Sequence, residues 1–596
     1  MNLDILKKII KLFDKSDKTL LVSVFLLIFT ASIIEMLGVA SIMPFIGLLT
    51  DPETFTNTKY FSFIQSIIGD SQINIIVVTG ILVISLFIFS NLLNAFTFWK
   101  IVKFSATQNH RISSLLMAKY LDQNYSFFIK SDVSNISRNI LDESCVLSEG
   151  IILPYLQVIA KSLIVVTISI LLIIVNYKLF IASILFILII YLVIYKNIKS
   201  LLERNGNERL KENNKRFKNT HDAFNSIKDV KFYNIEKHYI DLFSNAANKY
   251  SFLTAKSILF SHLPKYLIEI FAFGGMFSLV LYLIAVDNSL IGNLPLLSVF
   301  ILAAYRLLPS LQQIFANLTT IKFNMPVLDL LDNIFHLPAN HKPTTTDNLK
   351  FEKTIKFNNI SFGYEEKKLI IDDISFIINK GDFIGVVGST GAGKTTIVDL
   401  LLGLYVPNKG TIYIDDKRVD NLNSNLKSLV GYVSQNISLV NDSIAKNIAF
   451  GIKEEEIDYS LVNKVIEVAQ LSDLIKNLDE GVNSTIGDKG VKLSGGQRQR
   501  IGIARALYFK PKVLIFDEAT NELDVHTEDM IFKQIKSKNL GITIMMITHR
   551  LTSLKLCSEV LLLNKSKISR LEINNEEHLK QINNLIKLSY QNEYQQ

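Results

Sequence analysis

The sequence predicts a multi-domain membrane protein, in which an all-α domain of six membrane-spanning helices precedes an α/β domain of the P-loop type. Three observations support this fold class. At 596 residues the chain is too long for one compact core. Its mean hydropathy of +0.29, with 49% hydrophobic residues, is high for a soluble protein of this length. Long apolar segments fill the first half, whereas short strand-like runs alternate with helical runs in the second half.

Apolar segments long enough to cross a bilayer occur up to about residue 322. A spanning helix needs roughly 20 mostly apolar residues. Six segments are candidates: Leu20–Leu49, Ile73–Phe98, Gly150–Val175, Phe180–Ile194, Ile258–Val286 and Leu294–Ala316. No small-residue cleavage site follows the first of them, so we expect a retained helix and not a signal peptide. The transmembrane domain is predicted at 1–325, a Pro/Thr/Asn-containing linker at 326–350 and the second domain at 351–596.

The distribution of Lys and Arg predicts the orientation of these helices. The first connector, 51–72, holds one lysine and three acids, whereas the long connectors at 100–138 and 196–256 are rich in basic residues. Basic connectors face the cytoplasm, so both chain ends are predicted to be cytoplasmic, in a bacterial inner membrane. This pattern also accounts for the net charge of +8 and argues against a nucleic-acid partner. The two cysteines, Cys145 and Cys557, predict no disulfide framework.

A phosphate-binding loop follows the strand-like run that ends at Val387. The loop has the Walker A pattern in the required context of strand, loop and helix. Its glycines let backbone N–H groups surround phosphates, and the helix N-terminus adds favourable partial charge. We expect Lys394 to reach the β- and γ-phosphates of a nucleotide and Thr395 to bind Mg²⁺. The predicted nucleotide contacts are Gly388, Ser389, Thr390, Gly391, Ala392, Gly393, Lys394, Thr395 and Thr396.

A second apolar strand, 512–516, ends in two acids, Asp517 and Glu518. An aspartate at the end of a strand suits Mg²⁺ coordination, directly or through water. Glu518 is then placed to polarise the attacking water, which makes it the predicted catalytic carboxylate.

The segment Leu493-Ser494-Gly495-Gly496-Gln497 lies just upstream of this strand and resembles the ABC signature sequence. With it, the Walker A, signature and Walker B motifs occur in the order found in ABC transporters, and the resemblance covers essentially the whole chain. In that family, ATP is held between Walker A of one subunit and the signature of its partner. The resemblance therefore implies that Ser494, Gly495, Gly496 and Gln497 contact nucleotide.

The resemblance also implies further roles. Tyr364 resembles the aromatic residue that stacks on adenine, and Asp524 resembles the D-loop aspartate. Gln435 resembles the glutamine that links metal and water to the membrane domain, and His549 resembles the switch histidine at the γ-phosphate. Coupling helices are expected near Tyr125–Ile129 and Phe224–Asp229, where the two basic connectors turn back.

One departure from the family pattern follows Glu518. Asn521 and Glu522 stand where the family usually has small residues, and the extra carboxylate of Glu522 is a candidate for altered contacts across a dimer. One chain supplies one Walker A motif and one signature, so two nucleotide sites need two chains. A homodimer that hydrolyses ATP at both sites is the economical prediction, and a heterodimer with a second half-transporter is the alternative.

Ionisable residues inside the predicted spans are candidates for substrate contacts. These are Glu35, Lys100, Lys265 and Arg306. Three cations facing one cavity would suit an anionic substrate such as a pyrophosphate. The alternative is structural: Lys100 and Lys265 extend to the interface, and Glu35 pairs with one of these two lysines. The external connector at 59–69 has apolar residues at helical spacing and predicts an amphipathic helix, which either meets a lipid tail or packs on its neighbours.

The membrane half also resembles lipid-linked oligosaccharide flippases of the PglK type. The likeness rests on the segments at Glu35–Phe45, Pro264–Glu269 and Tyr305–Ser310 and on the short external helix. It implies transport of a polyprenyl-pyrophosphate glycan from the inner to the outer leaflet. Lys265 stands where that family tends to have Arg, which keeps the charge but loses the bidentate geometry. The alternatives are a lipid A or phospholipid flippase and a multidrug or peptide exporter.

Overall fold

The structure is a computed structural model that describes most of the chain. The described residues are 8, 13–50, 72–287, 294–338, 350–364, 368–419, 429–487, 490–537, 541–564, 567–573, 578 and 581. Contacts divide the chain into two compact units, which are described separately. The first is Met1–Gln123 with Phe128–Ala339, and the second is Asn124–Phe127 with Asn340–Gln596.

The first unit consists of long helices joined by short ones. They are α1 (Lys15–Ala40), α2 (Ile42–Thr50), α3 (Gln72–Leu121), α4 (Tyr125–Lys130, whose first residues belong to the second unit), α5 (Val133–Arg138), α6 (Ser144–Leu147), α7 (Leu153–Asn225), α8 (Ile227–Phe232), α9 (Glu236–Asp287) and α10 (Leu294–Phe335). Their apolar cores include Ile168 on α7 and Ala303 on α10, which are fully buried. Several of these helices are much longer than a membrane span requires, with 50 residues in α3, 73 in α7 and 52 in α9.

Within the described residues, four stretches are long and apolar enough to cross a membrane: Lys15–Thr50, Ile73–Leu121, Val133–Lys178 and Leu294–Phe335. The predicted fourth and fifth spans lie on α7 and α9, where many side chains fall outside the described part. The total of six therefore stays a prediction. The short connector predicted between the third and fourth spans is confirmed, because α7 is interrupted at Asn176 by non-helical backbone (φ −159°, ψ 98°).

The last helix of the first unit continues beyond the predicted start of the linker at 326. Pro326 lies inside α10, which ends at Phe335. Proline interrupts helical hydrogen bonding, and this favoured a boundary at that position. However, Val327, Leu328 and Leu331 are almost fully buried, and their packing continues the helix past the proline.

A buried ionic network joins α7 to the π-helical turn Asn139–Glu143 and to Arg138 at the end of α5. Glu143 is fully buried and accepts hydrogen bonds from Arg209 (2.9 Å) and Asn213 (2.8 Å). Arg138 is also buried, 3.8 Å from the same carboxylate. Burial makes each charge dependent on its partner, because an unpaired ion in this position is not compensated by water.

We therefore expect Glu143→Gln to lower the thermal midpoint of the purified protein in detergent. The variant leaves the Arg209 guanidinium buried without its counter-charge, a change that costs about 3 kcal/mol or more. The matched control is Glu208→Gln, which removes an exposed partner of Arg204 and should change stability by less than about 0.5 kcal/mol. Equal midpoints for the two variants would contradict a stabilising role for the network.

The second unit is an α/β domain. Its strands are β1 (Thr354–Phe362), β2 (Ile371–Asn379), β3 (Phe383–Gly388), β4 (Lys409–Ile414), β5 (Lys417–Arg418), β6 (Val430–Val433), β7 (Val513–Asp517), β8 (Thr543–Ile547), β9 (Glu559–Asn564) and β10 (Lys567–Glu572). Its α-helices are α11 (Lys394–Leu401), α12 (Ile444–Ile448), α13 (Tyr459–Val468), α14 (Ser472–Lys476), α15 (Gly495–Tyr508), α16 (Val525–Ser537) and α17 (Leu551–Leu554).

These strands form two sheets. One is antiparallel with the order β2-β1-β4-β5, and the other has the order β10-β9-β3-β8-β7-β6. In the second sheet β9, β3, β8, β7 and β6 are parallel. Every residue of β3, β7 and β8 is buried, which explains their continuous apolar sequences. The carboxyl ends of parallel strands meet at one edge, and the predicted catalytic residues follow those ends.

Candidate nucleotide and substrate sites

The Walker A loop connects β3 to α11 and owes its shape to its glycines. Gly391 and Gly393 have positive φ angles of 83° and 97°, which other residues adopt only with strain. A Cβ atom on Gly388 would lie 2.5 Å from the carbonyl oxygen of Leu563, so the close approach of β3 to β9 requires glycine there. By contrast, a Cβ on Gly391 would meet nothing within 4 Å, which leaves this side of the loop open for a ligand.

Lys394 is the first residue of α11 and is only 7% exposed. Its ammonium group donates hydrogen bonds to the carbonyl oxygens of Gly388 (2.9 Å) and Ser389 (2.8 Å). A buried cation that faces a glycine-rich loop at a helix N-terminus is suited to a polyphosphate. The residues present therefore fit the predicted phosphate site.

The second sheet brings the predicted catalytic residues to one edge. Asp517 ends β7, and Glu518 follows it. Gln435 lies just beyond the end of β6, and His549 lies just beyond the end of β8. The parallel pairing of Asp517 with Ile547 and of Phe516 with Val433 fixes this alignment. Three separate segments of the sequence therefore converge at this edge of the sheet.

The carboxylate of Glu518 is the centre of this group. Gln435 Nε2 donates to its Oε2 at 3.1 Å, and His549 Nε2 lies 3.2 Å from its Oε1. Asn521 Nδ2 also donates to Oε2, at 3.3 Å. The backbone of Glu518 is in the left-handed region with φ 51°, which is uncommon for a residue other than glycine. The predicted catalytic carboxylate is thus in direct contact with both the predicted glutamine and the predicted histidine.

Asp517 is buried beside Tyr432, whose hydroxyl donates to Oδ2 at 3.2 Å. Burial raises the pKa of Asp517, whereas the hydrogen bond from Tyr432 acts in the opposite direction. Together with the Thr395 hydroxyl and the Gln435 amide, this carboxylate completes a set of oxygen donors of the kind that Mg²⁺ prefers. The predicted metal residues therefore fit a divalent cation by their chemistry.

Tyr364, the predicted adenine contact, remains 44% exposed next to the Walker A helix. Its hydroxyl lies 3.1 Å from Thr396 Oγ1, and its ring packs edge-on against Phe362 and Tyr405 with centroids 5.3 Å apart. One ring surface is thus supported by aromatic neighbours while a large part stays accessible. This arrangement is compatible with stacking on a base.

The predicted substrate residues of the first unit do not share one set of contacts. Glu35 is buried on α1 and lies 3.5 Å from Arg306 Nη1 of α10. Asn94 of α3 donates to the other Glu35 oxygen at 3.0 Å, and Asn91 lies 3.4 Å from the arginine. The cation beside Glu35 is therefore Arg306, and not one of the two lysines that the sequence suggested as its partner.

The two lysines have other surroundings. Lys100 lies over the rings of Phe96 and Trp99 at 5.4 and 5.2 Å. Lys265 lies 3.8 Å from Glu269 and lines a cavity of about 300 Å³ between α9 and α10. The hypothesis of three cations in one cavity is not supported by these contacts. The amphipathic segment at 59–69 lies outside the described residues.

Comparison with known proteins identifies the family. The family model for the ABC transporter domain matches residues 371–521, and the model for the ABC transporter transmembrane region matches residues 19–306. The chain belongs to the ABC transporter family. A bacterial Atm1-family ABC exporter with ATP bound superposes with a TM-score of 0.78 over 97% of this chain and 99% of that chain, at 21% identity. The fold is therefore that of an ABC exporter half-transporter, and the nucleotide-domain match indicates an ATP-hydrolysing domain.

Two curated relatives are named ATP-dependent lipid A-core flippase. The protein from Wigglesworthia glossinidia brevipalpis is 32% identical over 383 residues, 62% of this chain and 65% of that protein. The protein from Cupriavidus pinatubonensis is 37% identical over 216 residues, 36% of this chain and 37% of that protein. The match spans less than two thirds of either relative.

The ABC signature segment begins α15. Ser494 caps this helix, because its hydroxyl accepts from Gln497 N while the Gln497 side chain accepts from Ser494 N at 2.8 Å. A cavity of about 400 Å³ is lined by Ser494, Gly495, Gly496, Arg500, Glu522, Leu523, Asp524 and Thr527. The structure thus brings three of the four predicted signature contacts, all but Gln497, to one cavity with Asp524, and no Walker A residue of the same chain lines it.

The departure at Glu522 changes the surface of this ABC signature cavity. The Glu522 carboxylate lies directly against Gly495, where a Cβ atom would overlap it, and 4.0 Å from Arg498. Asp524 is held by Thr527, which donates from its backbone (2.8 Å) and its hydroxyl (2.6 Å) and lowers the Asp524 pKa. The extra negative charge therefore lies beside the helix N-terminus of the signature.

Sequence reasoning missed three residues of the nucleotide site. They are Tyr432, which bonds Asp517, Asn521, which bonds Glu518, and Asp399 of α11, whose charge interacts with Asp517. The sequence could have pointed to Asn521, since this residue departs from the ABC family pattern. Nothing in the sequence distinguishes Tyr432 except its position in a strand near Gln435. Asp399 lies among apolar residues in the second half of α11, and no sequence motif includes it.

Asp399 predicts a pH dependence of stability. Burial, with the nearby charge of Asp517, raises the pKa of Asp399 to about 6 from 3.8. A carboxyl with a raised pKa in the folded state binds more protons there than in the unfolded state, so its stabilising contribution is complete at low pH and is lost as pH rises through about 6. Without nucleotide and Mg²⁺, the thermal midpoint of the nucleotide domain should therefore fall less between about pH 5 and about pH 7 in Asp399→Asn than in wild type. Asp479→Asn is the exposed control, and identical pH profiles for Asp399→Asn and wild type would refute the assignment.

Proposed function

We propose that this chain is an ATP-driven exporter that moves a phosphorylated, lipid-anchored glycan from the inner to the outer leaflet of a bacterial inner membrane. Its substrate is proposed to be a polyprenyl-pyrophosphate oligosaccharide. Both termini are placed in the cytoplasm, with the nucleotide domain on the same side. The observation that carries the ATP-driven part of the proposal is the contact of Glu518 with Gln435 and His549 at the carboxyl edge of the parallel sheet, in a chain that also has helices long and apolar enough to span a membrane.

Different residues of this chain bind the nucleotide and activate the water for hydrolysis. Lys394 balances phosphate charge from within the Walker A loop, and Tyr364 supports the base. Glu518 orients and polarises the attacking water, and His549 and Gln435 hold its carboxylate in place. Thr395, Gln435 and Asp517 are the residues that would hold Mg²⁺. When bound, this ion would neutralise charge on the phosphate oxygens.

A homodimer is part of the proposal. The signature residues and Asp524 line a cavity that lacks the chain's own Walker A loop, so a nucleotide sandwiched between both needs a second chain. Binding of ATP would draw two such domains together, and hydrolysis would release them. The proposed coupling helices between this motion and the membrane helices are Tyr125–Ile129, within α4, and Phe224–Asp229, where α7 ends and α8 begins.

The proposal of an anionic substrate rests on the cavity around Lys265. It is lined by Lys265, His262, Gln312 and Gln313, which together offer hydrogen-bond donors and positive charge. These residues lie near the ends of the predicted fifth and sixth spans that face the cytoplasm, where a lipid headgroup enters from the inner leaflet. Arg306 lies one helical turn from Pro309, which also lines this cavity, so the Arg306–Glu35 pair is adjacent to it along α10.

A lipid A-core substrate is the second candidate, favoured by the names of the two curated relatives. The two candidates are separated by substrate-stimulated ATP hydrolysis in detergent. We expect the polyprenyl-pyrophosphate glycan to raise the rate of the wild type and lipid A-core to raise it less. Stimulation by lipid A-core alone would support the second candidate, and stimulation by apolar drugs or peptides alone would exclude both.

Arg306→Gln is expected to impair glycolipid transport by about tenfold or more, while basal ATP hydrolysis stays within about twofold, because the arginine is not part of the nucleotide site. The variant also leaves Glu35 without its counter-charge, so Glu35→Gln/Arg306→Gln is the matched control. If Arg306 binds substrate, the double variant stays defective in transport. Recovery of transport in the double variant would show that the arginine only balances Glu35.

A further inference from the structure

Asn521 contacts the catalytic carboxylate from the segment that follows it. Its side-chain amide donates to Glu518 Oε2 at 3.3 Å, the same oxygen that receives the Gln435 amide at 3.1 Å. His549 lies at the other oxygen. The carboxylate is thus held by two amide donors on one oxygen and by the histidine ring on the other.

The backbone of Asn521 is fixed on both sides. Its N–H donates to the carbonyl oxygen of Glu518 at 3.2 Å, and its own carbonyl accepts from the Arg550 guanidinium. Arg550 also donates to the carbonyl oxygen of Leu523 at 2.8 Å. Because the arginine is the neighbour of His549 in sequence, it ties the segment that carries Asn521 to the segment that carries the histidine.

The backbone conformation of Glu518 explains why its carboxylate needs a neighbouring donor such as the Asn521 amide. With φ at 51°, its backbone is in a region that a residue with a side chain occupies at an energetic cost, and surrounding contacts must maintain it. Neighbouring donors then determine where the carboxylate points. Asn521 is half-buried, so its short side chain has few alternative directions.

We propose that Asn521 is a positioning residue for ATP hydrolysis, which holds the Glu518 carboxylate in the orientation that polarises the attacking water. This inference rests on the proposed ATP hydrolysis and adds a residue to that site. The amide N–H can only donate, so Asn521 acts through Glu518 and takes no proton itself.

The test compares kcat and KM for ATP in the full-length dimer. Asn521→Leu keeps the size but removes the donor, and Asn521→Asp keeps the shape but replaces the donor with a like charge. We expect Asn521→Leu to lower kcat by about tenfold or more with KM for ATP within about twofold, as for the loss of one hydrogen bond to a charged group. Asn521→Asp should lower kcat further, because two carboxylates then face each other.

Two controls separate positioning from a structural role. Asn477→Leu makes the same substitution at an exposed position beyond α14 and should keep the wild-type kcat. In the Glu518→Gln background, Asn521→Leu should cause no further loss, because the group through which it acts is already gone.

The inference is overturned if Asn521→Leu retains the wild-type kcat, or if it raises KM and lowers the thermal midpoint without a specific loss of kcat. An equal fold-loss in the Glu518→Gln background would also overturn it. Absence of ATP hydrolysis by the dimeric wild type would instead refute the proposed function, and this inference with it.

Discussion

Glu518→Gln is expected to reduce ATP hydrolysis by at least about a thousandfold while ATP binding is retained. The substitution preserves the shape of the side chain and its contacts with Gln435 and His549 but removes the negative charge that polarises water. Binding is expected to persist because the phosphates are held by the Walker A loop and Lys394. ATP should therefore accumulate in a closed, long-lived dimer.

The measurement pairs steady-state phosphate release with nucleotide retention after rapid gel filtration. Glu480→Gln is the matched control, since it makes the same substitution at an exposed site away from the Walker motifs. This variant should hydrolyse ATP at the wild-type rate. Full hydrolysis by Glu518→Gln would show that another group activates the water.

Lys394→Ala is expected to weaken ATP binding by about a hundredfold, and hydrolysis should be lost at ordinary ATP concentrations. Its ammonium is buried and faces the carbonyl oxygens of Gly388 and Ser389, so its removal takes away the principal positive charge that this chain offers to the phosphates there. Without the ammonium group, these two carbonyl oxygens also lose this hydrogen-bond donor, and their partial negative charge then repels the phosphates.

Binding of a fluorescent ATP analogue to the purified protein measures this effect directly. Lys380→Ala removes an exposed lysine between β2 and β3 and serves as the control, with unchanged affinity expected. Wild-type affinity in Lys394→Ala would mean that the phosphates bind elsewhere.

The residues that the sequence predicts for a nucleotide site lie together in the structure, because their motifs are local and the sheet aligns them. Walker A is a single continuous loop, and Asp517, Gln435 and His549 each follow the end of a parallel strand. Once the strands pair in parallel, their ends must meet at one edge. Lys394, Asp517 and Glu518 were predicted from their local patterns, whereas Gln435 and His549 were predicted only from the resemblance to ABC transporters.

The membrane site was predicted less completely, because contacts between helices depend on rotation and packing that the sequence does not specify. Arg306 and Lys265 both look like free cations in sequence, yet Arg306 is paired with Glu35, whereas Lys265 lines a separate cavity. The buried pair of Glu143 and Arg209 is another example, since its partners are far apart in the chain. Only the folded structure shows which charged side chains are paired within the protein and which line a cavity.

ATP-dependent flipping in proteoliposomes is the most direct test of the proposed function. Fluorescent polyprenyl-pyrophosphate oligosaccharide and a fluorescent lipid A-core are supplied in parallel, with Glu518→Gln as the inactive control. We predict that the wild type moves the polyprenyl-pyrophosphate glycan across the bilayer only when ATP is present, and that Glu518→Gln does not. Intact ATP hydrolysis without movement of this glycan would contradict the proposal, and movement of lipid A-core alone would assign the substrate to the second candidate.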